Sequence, residues 1–197
     1  MNPEKLNFNP GPTSQEQGEI VKSEKEIAWE QKRTEVDKIV DRLGLGIDKK
    51  IKETVTAFRV HGFTTSQSCE GHIHEEETEG EKKEKHGVPF PWVEIYVPEL
   101  EGWQESEEKK KEWAIKNFQQ QQKMMSFLTE FYQGRETPFD ARLIFRGIGM
   151  YGGFRVQSFG AEMMILLSPE EQKQKFELYR KEMDDFNIFL KNKHFSE

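Results

Sequence analysis

Trp92-Val93-Glu94-Ile95-Tyr96-Val97 is the clearest strand in this chain, and its reading decides the fold class. Pro91 and Pro98 bracket it, as residues without an N–H bracket a strand. Side chains alternate across a strand, so Val93, Ile95 and Val97 share one face and Trp92, Glu94 and Tyr96 the other. The aliphatic face belongs in the core. The aromatic–acidic face has two open uses: it lines a pocket, or it lies under a helix.

Toward the C-terminus, Ser106 to Gln133 reads as the longest helix. Ile115, Phe118, Met125, Leu128 and Tyr132 mark its apolar face, and Glu107 and Glu108 suit its positive N-terminal end. Strands follow at Ala141–Arg146 and Phe154–Ser158, joined as a hairpin by the Gly-rich run from Gly147 to Gly153. No helix follows that run, so it is not a dinucleotide-binding fingerprint. Glu162–Leu167 is apolar enough for one more strand. Ser168-Pro169-Glu170-Glu171 is a capping box that opens a last helix. There Phe176, Tyr179, Met183, Phe186 and Leu190 recur at helical spacing, a stripe for a sheet or a partner helix.

Toward the N-terminus, a helix is expected over Thr34–Leu43, carried by Val36, Ile39, Val40 and Leu43. A second runs from Asp48 as N-cap to His61, with Ile51, Val55 and Phe58 inward. His61 then serves the negative end of that helix. A short strand from Phe63 to Ser68 delivers the chain to Cys69. The order predicts an α+β fold, a small antiparallel or mixed sheet of about 4–5 strands covered by about four helices.

Hydrophobic and charged residues make up 34% and 33% of the chain, a low apolar share, yet 15 Phe and 4 Trp can fill a core. The polar excess is concentrated. Residues 1–28 read as a flexible arm, with Leu6, Phe8 and Trp29 as its docking residues, and 29–197 as a single domain. Within it, residues 75–85 hold no apolar side chain and read as a charged insertion loop. Net charge is −7, which argues against a nucleic-acid backbone as partner. One cysteine makes no intrachain disulfide, and neither a signal-peptide core nor a membrane-spanning run is present. The expected compartment is the cytoplasm.

The chemically loaded segment is Ser68-Cys69-Glu70-Gly71-His72-Ile73-His74, with His86 shortly after. Three readings compete. Thiolate and imidazole are preferred zinc ligands, and Cys69, His72 and His86 would form a metal site, with His74 a further candidate. Alternatively Cys69 is a nucleophile whose thiol is activated by a neighbouring imidazole, with Glu70 and His72 moving or orienting a proton. Third, the cysteine is buried and the turn is structural. Arg142, Arg146 and Arg155 share parity on adjacent strands and would hold a small anionic ligand, or else pair with acidic residues on a solvated face. From another class, the alternative is a non-catalytic binding or interaction protein, a homodimer through the last helix. His194 is given no role.

TTSQSCEGH, followed by HGVPFPWVEI and later by FRVQS and EMDDFNIFLK, resembles a group of uncharacterised bacterial proteins. In that group a Ser-Cys-Glu-Gly-His loop runs quickly into His-Gly and Pro-Trp-Val. The resemblance implies that residues 75–85 are an insertion, which demotes His74 and promotes His86. It brings no activity with it. Ser68, Cys69 and Gly71 are also similar to the Ser-Ser-Cys-Ser-Gly-Arg loop of tRNA wybutosine-synthesising methyltransferases, with His72 where that loop has Arg.

Overall fold

In the computed structural model, residues 22–41, 43–73 and 87–196 are described. Among them are four α-helices, α1 (Glu24–Asp37), α2 (Lys52–Val60), α3 (Glu107–Phe131) and α4 (Pro169–Ser196). The strands are β1 (Thr65–Cys69), β2 (Trp92–Ile95), β3 (Leu143–Ile148) and β4 (Gly153–Ser158). They form one sheet in the order β1-β2-β4-β3, antiparallel throughout, so the fold is α+β as expected. The arm's residues 1–21 and the charged stretch 75–85 lie outside the described residues.

Alternation along β2 does what period-2 patterning requires. Val93 and Ile95 are fully buried and lie opposite Val156 and Phe154 of β4, which share their core. Onto this face come Val55 and Phe58 from α2, Met124 and Phe131 from α3, and Met183, Phe186 and Leu190 from α4. Each such side chain contributes roughly 1.5–3 kcal/mol by leaving water. The stripe read on the last helix is therefore spent inside the chain. Its capping box is present: Ser168 N–H donates to Glu171 at 3.0 Å and Glu171 N–H donates to Ser168 Oγ at 3.4 Å.

Several expectations change. The first helix runs Glu24–Asp37 rather than Thr34–Leu43, opening on a capping box between Ser23 and Glu26 inside the stretch read as arm. Trp29 is buried, and α1 is thereby docked. Glu162–Leu167 is no strand: Ala161–Leu166 forms a 3-10 turn after Gly160. Its apolar residues had suggested extension, but only Ala161 and Met164 are buried, at the i, i+3 spacing of that turn. The long helix buries Leu128 and packs Tyr132 on the core as expected, but over the rest of its length it presents a different face. Trp113, Asn117, Met124, Phe127 and Phe131 are buried, while Ile115, Phe118 and Met125 are at least half exposed. Trp113 and Asn117 decide that face, because both bond Val97: Trp113 Nε1–H donates to its carbonyl at 2.7 Å, and Asn117 Oδ1 accepts its N–H at 2.9 Å.

A buried ionic network joins α4 to the turn after α3. Glu182, 5% exposed, accepts from Arg135 at 2.9 Å and from Tyr132 Oη at 2.9 Å. Tyr132 Oη in turn accepts the N–H of Leu143 at 2.6 Å, which starts β3. Burial, aided by the Glu182 charge, pushes the Tyr132 phenol far above its ordinary value. Asp140 is similar in kind. Its burial opposes ionisation, but donors from Lys175 and Tyr179 outweigh it and hold the carboxyl below its usual range.

Glu182→Gln keeps the shape and removes the charge, and is expected to lower stability by about 2 kcal/mol in urea unfolding. Asp140 has a lowered folded pKa, so its contribution is full above the ordinary aspartate value and is lost as pH falls through the lower folded one. Asp140→Asn is accordingly expected to reduce stability at neutral pH and to flatten the acid limb of a stability–pH curve.

Candidate metal centre

The loop after β1 is held from two sides. Cys69 ends the strand opposite Trp92 and is 6% exposed. Gly71 then turns the chain at φ +86°, a value that favours glycine. A Cβ there would come within 2.6 Å of Phe176 and 2.8 Å of the Phe90 carbonyl carbon, so the space also demands glycine. His72 N–H donates to the Val88 carbonyl at 2.8 Å, tying the loop to the chain returning from the charged stretch.

The second side is the turn before α2. Asp48 was expected to cap that helix, but α2 begins at Lys52 behind an Ile51 that makes no side-chain cap. The Asp48 carboxylate turns to the cysteine loop instead. Its Oδ2 accepts the Glu70 N–H at 3.1 Å and lies 3.3 Å from His72 Nε2. Glu70 reciprocates by accepting the Lys50 N–H at 2.8 Å.

Asp48, Cys69 and His72 thus converge. Their nearest donor atoms, one oxygen, one sulfur and one nitrogen, all lie within 4.8 Å of one another, the one such group among the described residues. Tetrahedral zinc with bonds of about 2.0–2.3 Å sets its ligand atoms roughly 3.3–3.8 Å apart, so a closing movement of about 1 Å would seat an ion. Gly87 makes room for the arrangement: at φ +89°, a Cβ there would meet His72 Cδ2 at 2.5 Å and Cys69 Sγ at 3.4 Å. Burial raises the Cys69 thiol above its ordinary value; the N–H groups of Gly71 and Val88 oppose this, and the charges of Asp48 and Glu70 add to it. A free thiol here stays protonated at neutral pH, whereas a bound cation reverses that balance.

Asp48 and Cys69 border a cleft of about 940 Å³ between β1 and the turn at residues 39–41 and 43–48. Trp92 lines the same cleft, while Tyr96 packs on Trp113 of α3 at 5.1 Å, so the aromatic–acidic face of β2 is put to both uses. The Glu70 carboxylate faces Lys50, not the thiol. His74 and His86 lie outside the described residues.

Arg146 and Arg155 lie opposite each other across β3 and β4. Arg146 pairs with Glu162 at 2.7 Å; Arg155 pairs with Glu94 at 3.4 Å and stacks 3.8 Å over Trp92. Arg142 precedes β3 and stands over Tyr132 at 5.5 Å, apart from the other two. His61 and His194 brace helices: their Nε2 atoms lie 2.8 Å from the Leu190 carbonyl oxygen and 3.0 Å from that of Lys25. Two residues of interest carried no sequence signal for this site, although Asp48 had one as a helix cap. Asp48 reaches the loop across 22 residues, and Arg59 of α2 lines the cleft, its Nε–H donating to Thr65 Oγ1 at 2.9 Å.

No protein-family model matches the chain, and no curated protein or solved structure matches it either.

Gly87→Ala is expected to push His72 off Cys69 and open the loop. Iodoacetamide should then label the native thiol about tenfold faster than in the parent protein, since labelling follows local opening.

Proposed function

We propose that this chain is a zinc-binding protein whose ion is held by Asp48, Cys69 and His72, with the remaining coordination position turned to the cleft. The convergence of three donor atoms within 4.8 Å carries the reading. The donor set supports it, because thiolate, imidazole and carboxylate all serve zinc. Three protein ligands beside an open cleft match the plan of a catalytic centre, whereas structural zinc sites are closed by four. When bound, the ion would act as a Lewis acid and lower the pKa of a coordinated water. Within the chain, Glu70 N–H donates to the Asp48 oxygen that faces His72 and so fixes the carboxylate, and Glu70 itself fixes the Lys50 turn. His86 would be a fourth ligand in a closed, structural version of the site.

The 3.3 Å contact between His72 and Asp48 favours one rival, a Cys69 nucleophile served by His72 with Asp48 as the orienting carboxylate. The raised thiol pKa stands against it.

Cobalt titration separates these readings. The expected result is one equivalent bound with a sulfur-to-metal charge-transfer band. Cys69→Ser should abolish the band, and Cys69→Ser, His72→Ala and Asp48→Ala should each weaken affinity by about 100-fold or more. His86→Ala should leave affinity nearly unchanged if the centre is open; a loss as large as that of His72→Ala makes it a closed structural site. No uptake of cobalt or zinc by tag-free protein, together with a thiol alkylated rapidly below neutral pH, would replace the metal centre with the nucleophile.

A further inference from the structure

The wall of the cleft opposite the turn is the outer edge of β1. Among the described residues this strand pairs on one side only, with β2, and Thr65 to Cys69 line the cleft along the other row of main-chain donors and acceptors. An uncovered edge is a template for an added strand.

The facing wall is a built turn. Asp41 Oδ1 accepts the N–H groups of Leu43 and Leu45, both at 2.8 Å, and Asp41 N–H donates to the Leu45 carbonyl at 2.8 Å. The Val40–Gly46 bridge closes its base. So braced, the turn exhibits Val40, Leu43 and Leu45 at 59%, 79% and 63% exposure, on the rim of the cleft. The hydrogen bonds of the turn fix its backbone, and these three side chains give the cleft an aliphatic rim.

Arg59 supplies the charge. It lines the cleft at the Thr65 end of β1, and among the described residues no carboxylate lies within ion-pair distance of it. From Thr65 to Cys69 the edge extends for about 13 Å, at roughly 3.3 Å per residue. A cation thus stands at one end of an open strand edge, and the Asp48, Cys69 and His72 trio at the other.

We propose that the cleft binds the C-terminal segment of an apolar peptide, paired antiparallel to β1 with its terminal carboxylate on Arg59. The edge supplies main-chain hydrogen bonds, Leu43 and Leu45 cover alternate side chains, and Arg59 reads the terminus. An amide about four residues from that terminus then lies beside the trio. A small free anion would use Arg59 and leave both walls bare. This occupant and the metal centre share the cleft but rest on different atoms, so either can fail alone.

Fluorescence anisotropy tests it with fluorescein-labelled Ser-Val-Leu-Val-Leu as free acid and as C-terminal amide, on zinc-free and zinc-loaded protein. The free acid is expected to bind at least about tenfold more tightly than the amide. Arg59→Gln should erase that preference and Arg59→Lys should retain part of it. Leu45→Asp, at a position exposed in the fold, should weaken both peptides without lowering the melting temperature. Equal binding of acid and amide overturns the proposal, as does absence of binding by protein with unchanged circular dichroism, or a preference that survives Arg59→Gln. Zinc uptake without peptide binding sinks the peptide and leaves the metal centre standing. Peptide preference without zinc uptake does the reverse.

Discussion

The candidate site depends on a reciprocal tie between two turns far apart in sequence. Asp48 accepts the main-chain N–H of Glu70, and Glu70 accepts that of Lys50. Hydrogen bonds to charged acceptors are the stronger kind, worth roughly 1.5–3 kcal/mol each when partly shielded. Here they do more than add stability. They fix the distance between the turn before α2 and the loop after β1, and so bring an oxygen, a sulfur and a nitrogen into one small volume. The sheet positions Cys69 by pairing it with Trp92, and this tie, with the contact of Asp48 to His72, brings Asp48 to it.

Elements with strong periodicity were readable from the chain. β2 shows the alternation expected of it, α4 opens on its capping box, and the β3–β4 hairpin pairs Ile148 with Gly153 across its turn. Errors arose where a local pattern had two solutions. Helix α3 has apolar residues around much of its circumference, and the buried face was settled by Trp113 and Asn117 reaching Val97, a tertiary demand without a local signature. The Ala161–Leu166 segment has strand-like composition, yet a 3-10 turn satisfies its two inward residues.

The site was half legible for a related reason. Cys69, Gly71 and His72 adjoin in sequence, and their spacing alone suggests shared chemistry. Asp48 looked like a helix cap because acidic residues before helices usually are caps. Its actual partner is a main-chain N–H 22 residues away, which no pattern in one sequence announces. The arginines illustrate the converse. Arg146 and Arg155 share a sheet face as parity requires, but Glu162 and Glu94 lie against them, while Arg59, inconspicuous within α2, is the guanidinium that lines the cleft among the described residues.

Helix α4 has a consequence for how the chain reaches this state. It touches the segment before β3 through Lys175 and Tyr179, the turn after α3 through Glu182, α2 through the Leu190 carbonyl and α1 through His194. The last two contacts span 129 and 169 residues. Loops of that length must close before such contacts reward closure, which slows folding relative to a chain of local contacts. On the ribosome, Phe58, Phe131 and the core face of the sheet would emerge long before Met183 and Phe186 arrive to cover them. The nascent chain therefore carries its core open until α4 has been made, a window in which a chaperone or a misplaced strand competes for the same surface.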